Sequence, residues 1–119
     1  ISVISYGMGV HGILDFIKEN TQFSIDVVDL RTLIPLDKDA IRKTVMKTGK
    51  VLILHEDSHI GGFGSDIASF IAENLFEHLD APICRVSSLD TPIPFAHNLE
   101  KIYLANDRLK ESILSLSRY

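Results

Sequence analysis

Val51-Leu52-Ile53-Leu54 is the stretch that most narrows the choice of fold: four consecutive aliphatic residues with no polar alternate. A strand with one wet face alternates apolar and polar side chains, so a strand lacking that alternation is covered on both faces. Such a strand needs helices above and below it, hence three layers. The remaining sequence supplies them. Val3-Ile4-Ser5-Tyr6 reads as a strand ending at Gly7. Val10, Ile13, Leu14 and Ile17 then recur at i, i+3, i+4 and i+7, the single stripe of an amphipathic helix. Residues 25–30 form a second strand. Pro35 cannot continue a strand interior, and Asp37 is the expected N-cap of a helix that carries Ile41 and Val45 and closes at Gly49.

Gly61, Gly62 and Gly64 punctuate the loop after the apolar strand. Phe63, Ile67, Phe70, Ile71 and Leu75 build the longest helix, with Asp80-Ala81-Pro82 as its stop. Residues 83–86 make a fourth strand. Residues 87–105 hold Pro92 and Pro94 and no clear period, and read as an ordered excursion with one short strand at Ile102-Tyr103-Leu104. Asn106 or Asp107 caps a final helix carrying Leu109, Ile113, Leu114 and Leu116. Strands alternating with helices at this spacing imply right-handed crossovers. The expected architecture is a three-layer α/β/α sandwich around a mostly parallel sheet.

Composition sets the outer bounds. The 119 residues are 45% hydrophobic and 24% charged, enough for one domain with a sizeable core. A net charge of −4 without any block of like charge argues against a nucleic-acid partner. No apolar run approaches the roughly 20 residues that span a bilayer. The lone Cys84 cannot form an internal disulfide, which fits a reducing, cytoplasmic compartment. The chain opens at Ile1, inside a strand-like segment, so residues 1–119 are expected to be one domain of a longer polypeptide.

Two short motifs carry possible chemistry. Gly7-Met8-Gly9-Val10-His11-Gly12 fits G-x-G-x-x-G between a strand and a helix, with Asp26 or Asp29 near the end of the next strand. In a dinucleotide-binding unit these glycines allow a tight turn, close approach to a pyrophosphate and tight helix packing. Any α/β domain also needs small residues at that turn, and the chain is too short for two mononucleotide halves. An independent nucleotide-binding module using Gly7, Gly9, Gly12 and Asp29 is thus the alternative reading. His55-Glu56-Asp57-Ser58-His59 matches H-E-x-x-H, but zinc chemistry needs both histidines on one helical face. Here the motif follows a strand directly and precedes Gly61-Gly62, so a strand-to-loop junction is expected. That junction lies at a strand's carboxyl end, where open α/β sheets put ligand or partner sites. His55 and Glu56 are therefore candidates for an interdomain or active-site-facing loop. A plainer alternative is that Glu56 caps the next helix and His55 bonds the backbone. Cys84 reads as a small core residue with Arg85 on the opposite strand face, Ser65 lacks a G-x-S-x-G elbow, and His11, His78 and His97 are scattered. No nucleophile, base and oxyanion set assembles, so no catalytic residue is assigned.

Three longer stretches together point further. They are Val28-Asp29-Leu30-Arg31-Thr32-Leu33-Ile34-Pro35-Leu36-Asp37, then Gly49-Lys50-Val51 running into His55-Glu56 and Gly61-Gly62-Phe63-Gly64, and last Leu79-Asp80-Ala81-Pro82 with Arg85-Val86 and Asp90-Thr91-Pro92-Ile93-Pro94-Phe95. In order and spacing they resemble the C-terminal domain of the transketolase superfamily. The resemblance is strongest to the β subunit, or fused α/β chain, of the thiamine-dependent 2-oxo acid dehydrogenases. The wording around His55-Glu56 and Asp90–Phe95 leans toward the branched-chain (2-oxoisovalerate) type. This resemblance implies a sheet of about five strands and a parent enzyme that oxidatively decarboxylates a 2-oxo acid. It also implies that thiamine diphosphate and magnesium are held by other domains, whose motifs are absent here, leaving this stretch without cofactor or decarboxylase activity of its own. By the same resemblance the domain packs subunits of an oligomeric parent together and docks the subunit-binding domain of the dihydrolipoyl acyltransferase. Asp80 then matches the docking acidic residue, Tyr119 the terminal aromatic with its carboxylate, and Glu77 an adjacent, weaker candidate.

Overall fold

The computed structural model describes residues 1–119, with the side chain of Asn106 outside the description. The capping role expected of Asn106 therefore lies outside the described residues. Four strands, β1 (Ser2–Ser5), β2 (Asp26–Asp29), β3 (Val51–Ser58) and β4 (Cys84–Ser88), form one sheet in the order β2-β1-β3-β4. Every pairing is parallel. Five helices accompany them: α1 (Met8–Glu19), α2 (Lys38–Thr48), α3 (Gly64–Leu75), α4 (His97–Tyr103) and α5 (Asn106–Ser117), with a 3₁₀ turn at Phe76–His78.

The apolar run of β3 behaves as its composition demands. Leu52 and Leu54 point into a core with Val3, Ile13, Val86, Leu109 and Ile113, beneath α1 and α5. Val51 and Ile53 point the other way, into a core with Ile4, Ile41, Val45, Ile67 and Ile71, beneath α2 and α3. All four residues of the run are fully buried. Two cores on opposite faces of one sheet are what make the domain three layers.

Helix ends follow the local chemistry. The Asp37 carboxylate accepts the Ala40 amide at 3.0 Å, capping α2, and Gly49 ends that helix in the left-handed conformation at φ 66°. The sheet has four strands rather than about five, because Ile102 and Tyr103 close α4 instead of forming a strand. Leu104 donates to the Glu100 carbonyl at 3.0 Å and Glu100 to that of Ala96, also at 3.0 Å, so helical bonds consume the segment's backbone groups. Three apolar residues are too few to win a place in a ladder against a helical turn that already buries Tyr103. β4 is consequently an edge strand. The Arg108 guanidinium covers part of that edge by donating to the Ser87 carbonyl.

Candidate functional site

The order β2-β1-β3-β4 fixes where a site belongs. From β1, helix α1 carries the chain outward to β2, and α2 brings it back past β1 to β3. The winding reverses between β1 and β3, and the crevice at their carboxyl ends is where such sheets bind ligands. Tyr6 and Gly7 leave β1 there, and His55 to Ser58 finish β3. Between Leu54 and Ser58 the β3–β4 register slips: Leu54 faces Val86, but Ser58 faces Ser88. Two extra residues are accommodated on β3, a bulge that re-aims the side chains around His55.

His55 is fully buried, so it reaches no surface of this chain. Its ring lies parallel to that of Tyr6, with centroids 6.2 Å apart, and Phe63 meets Tyr6 edge-on at 6.4 Å. The following loop folds over the imidazole: a Cβ at Gly64 would collide with the ring, and one at Gly62 would collide with the Ser58 carbonyl and press close on the ring. Neither ring nitrogen of His55 has a hydrogen-bond partner among the described residues. Burial holds its pKa below the usual 6.5, with Arg85 and His59 pushing the same way and Asp57 opposing. The neutral ring is therefore the resident form near pH 7. Burial also raises the Tyr6 phenol, so it stays protonated. Of the plainer alternatives, neither holds: His55 bonds no backbone group, and the carboxylate that meets the start of α3 belongs to Asp57, which accepts from Phe63 N at 3.4 Å. Glu56 itself is exposed.

His55 lies on β3, which runs through Ser58, and His59 falls in the turn after it, so the two do not share a helical face. The H-E-x-x-H reading fails on that geometry. The glycine turn has the expected shape, with Gly7 at φ 59° and α1 starting at the next residue. Gly9, however, packs its Cα directly over Ser5 Oγ and the Leu54 carbonyl, leaving no space for a side chain. Of the two acids, Asp26 opens β2 at the opposite rim, where its carboxylate accepts from Thr44 Oγ1 at 2.6 Å and Lys47 Nζ at 2.7 Å. Those bonds, with Lys47 foremost, hold its pKa below the usual carboxylate value. Only Asp29 ends the strand.

The partner-binding candidates sit at the amino end of the sheet. Asp80 follows the 3₁₀ turn, and its amide donates to the Gly49 carbonyl at 2.7 Å. Its exposed carboxylate rests against Gly49, which has no Cβ to block it. Asp80 lines an apolar groove of about 480 Å³ with Ala72, Phe76, Leu79, Pro82 and Ile83. Tyr119 lines a second groove of about 210 Å³, and Pro82 and Ile83 belong to both. Thus the structure brings Asp80 and Tyr119 to adjoining grooves, although 39 residues separate them in sequence (119 − 80). Phe76 is 75% exposed and Tyr119 67%. Glu77 is solvent-exposed, contacts His78 at 3.6 Å, and is absent from both groove walls. Cys84 packs at the edge of the α1/α5 core with its thiol pKa raised by burial, which suits a structural residue.

The sequence places Arg85 on the strand face opposite Cys84 without assigning it a role. Its guanidinium donates to the His59 carbonyl at 3.0 Å, to His59 Nε2 at 3.0 Å and to Ser65 Oγ at 2.6 Å, tying the glycine loop to β4. A charge inside the run Ile83-Cys84-Arg85-Val86 was the available signal. None of these donor sets suits magnesium. The carboxyl-rim cleft beside Arg85 presents guanidinium and hydroxyl groups with Asp90 as its single carboxylate, whereas magnesium asks for several oxygen ligands in octahedral array.

The fold and these two rims define a class, a small doubly wound α/β domain with a sealed switch point. The chain belongs to the transketolase C-terminal domain family, whose description, "Transketolase, C-terminal domain", matches residues 1–108. It is 41% identical to the 2-oxoisovalerate dehydrogenase subunit beta of Bacillus subtilis, covering 100% of this chain and 38% of that protein. It is 42% identical to the 2-oxoisovalerate dehydrogenase subunit beta 2, mitochondrial, of Arabidopsis thaliana, covering 85% of this chain and 28% of the relative. The pyruvate dehydrogenase E1 component subunit beta of Rickettsia felis is 38% identical over 90% of this chain and 33% of its own length. The chain therefore spans only about a third of these relatives. Among solved structures, a split-gene transketolase described as an inactive beta4 tetramer superposes with a TM-score of 0.77 at 24% identity, covering 97% of this chain and 37% of that one. That likeness confirms the fold.

Proposed function

We propose that this chain is the assembly and docking domain of the decarboxylating component of a 2-oxo acid dehydrogenase, with a branched-chain 2-oxo acid favoured as the parent's substrate. In this reading residues 1–119 form one domain of a longer β-type chain in a reducing, cytoplasmic compartment. Thiamine diphosphate and magnesium are held by other domains, and this domain packs against the parent's other subunits. Its outward partner is the subunit-binding domain of the dihydrolipoyl acyltransferase. The identities to β subunits support the parent assignment. One observation carries the docking assignment: Asp80 and Tyr119, far apart in sequence, line grooves that share Pro82 and Ile83.

The chemistry suits a basic partner. An exposed carboxylate set in an apolar groove gives an arginine or lysine a charge-assisted bond with its stem in apolar contact. The charge steers encounter, while Phe76 and Tyr119 offer the aromatic contact area that anchors interfaces. The test is calorimetric titration of the acyltransferase subunit-binding domain into the complete polypeptide that carries these residues. Asp80→Asn should weaken binding about tenfold or more, the cost of removing one partner of a charge-assisted bond. An unchanged affinity removes Asp80 from the interface, and no binding by the parent protein removes the docking assignment altogether.

A further inference from the structure

At the carboxyl end of the edge strand lies a cleft of about 240 Å³, its polar groups set beside apolar surface from Val86 and Leu89, that the proposed docking function does not use. Arg85, Ser87 and Ser88 from β4, His59 from the glycine loop, Asp90, and Arg108 and Ser112 from α5 line it. Two features stand out physically. Neither guanidinium is paired with a carboxylate among the described residues. Arg85 donates to the His59 carbonyl, His59 Nε2 and Ser65 Oγ, and Arg108 to the carbonyls of Ser87, Ile102 and Tyr103. Every one of those acceptors is uncharged. A guanidinium carries five N–H donors, so each arginine keeps two without a described partner.

The second feature is Ser88. It is 2% exposed, and its hydroxyl oxygen has no hydrogen-bond partner among the described residues. A buried hydroxyl left unpaired costs stability, and such groups in native proteins call for a missing partner. His59 and Ser87 join the two arginines on the protein side. Because arginine can only donate, His59 Nε2 must accept, which fixes His59 as the neutral tautomer with its proton on Nδ1. That proton goes to Ser87 Oγ at 3.0 Å, and Ser87 Oγ donates to the Ser88 carbonyl at 3.2 Å. Arg85 and Arg108 are thereby linked through His59 and Ser87 into one framework, rigid on one side and short of acceptors on the other.

We propose that this cleft binds the phosphoryl group of a small molecule, with Arg85 and Arg108 supplying charge and Ser88 Oγ donating the bond it lacks. Guanidinium groups are weakly hydrated and match phosphate geometry in paired hydrogen bonds. Donors on two arginines and a serine exceed what a planar carboxylate can accept from one side, which favours a tetrahedral dianion. Asp90 is the one opposing charge in the lining. Its carboxylate accepts the Ile60 amide at 2.8 Å and forms no ion pair with either arginine, so it tempers the site without filling it.

Inorganic phosphate is the probe, titrated calorimetrically into the complete polypeptide at constant ionic strength set with chloride, with thermal stability followed in parallel. Saturable binding in the millimolar range is expected, with acetate at least about fivefold weaker. Ser88→Ala removes the unpaired hydroxyl without touching the fold's other bonds and should weaken phosphate about threefold or more. Asp90→Asn keeps the bond from Ile60 and should tighten phosphate about twofold. Because a phosphate site elsewhere in the polypeptide would ignore both substitutions, the pair locates the binding. No saturable phosphate binding up to about 50 mM, affinity indifferent to Ser88→Ala, or acetate binding as well as phosphate would each overturn the proposal.

Discussion

The two rims of the sheet are built on opposite plans. At the carboxyl rim, bulged β3 and a glycine loop wrap His55 and seal the switch point, and Arg85 stitches the loop to β4. At the amino rim, Asp80, Phe76 and Tyr119 are left outside, around grooves lined with apolar side chains. Glycine serves both, with different consequences. Gly64 makes room for a buried ring that has nowhere to go, whereas Gly49 makes room for a carboxylate that water will accept. A doubly wound sheet does not by itself keep an open site at its switch point; the loops decide which rim meets the outside.

The largest effect that would break this contrast is at Gly64. A Cβ there lands on the His55 ring, so Gly64→Ala should cost about 2–3 kcal/mol by overpacking, measured by urea denaturation. Gly49→Ala meets only the exposed Asp80 side chain, which can swing toward water, but must hold φ 66°, and should cost about 1–2 kcal/mol. Combining it with Asp80→Ala should recover only the part due to collision, leaving the backbone strain. Equal costs at the two glycines would mean that His55 is free to move, and the sealed-rim description would fail.

A pH titration probes the same rim. The folded-state pKa of His55 lies below its unfolded value of 6.5, so the unfolded chain binds a proton more readily. Its neutral burial stabilises the fold fully above that value and loses ground as pH falls through the folded pKa. Thermal midpoints should therefore drop as pH is lowered below 6.5, ahead of the carboxylate range in which Asp26 loses its bonds to Lys47 and Thr44. His55→Phe should flatten the decline in the upper part of this range. An identical slope in the variant would assign the effect to another group.

Periodicity made the layers legible. Val51–Leu54 announced a doubly covered strand, and the stripes Val10–Ile17 and Ile41–Val45 announced helices, because burial on a face leaves a repeat in the sequence. Asp37 and Gly49 marked their helix ends for the same kind of local reason. Ile102-Tyr103-Leu104 misled, since three apolar residues look alike as strand or helix and only the Glu100–Leu104 backbone bond decides. The site was less legible. The His55 seal depends on a two-residue register slip and on two glycines reaching back to one ring, neither of which leaves a period. Asp80 and Tyr119 were reached through the family resemblance, and their adjacency through Pro82 and Ile83 is a product of folding that no spacing reveals.

Helix α2 runs from one rim to the other and allows a smaller, internal comparison. Its carboxyl-rim end is closed by the exposed Asp37 cap, and Asp37→Ala should cost about 1 kcal/mol, less than either strained glycine substitution at its upper bound. The amino rim is sharpened by changes that leave stability alone. Tyr119→Ala and Glu77→Gln should each move the unfolding free energy by less than about 0.5 kcal/mol, since both side chains are largely solvated. They should part in the docking titration: Tyr119→Ala loses severalfold in affinity because its ring walls the groove next to Asp80, while Glu77→Gln, outside both walls, changes little. Equal losses would show that the rim attracts its partner by general negative charge, whereas a loss at Tyr119 alone ties recognition to the shared Pro82–Ile83 ridge.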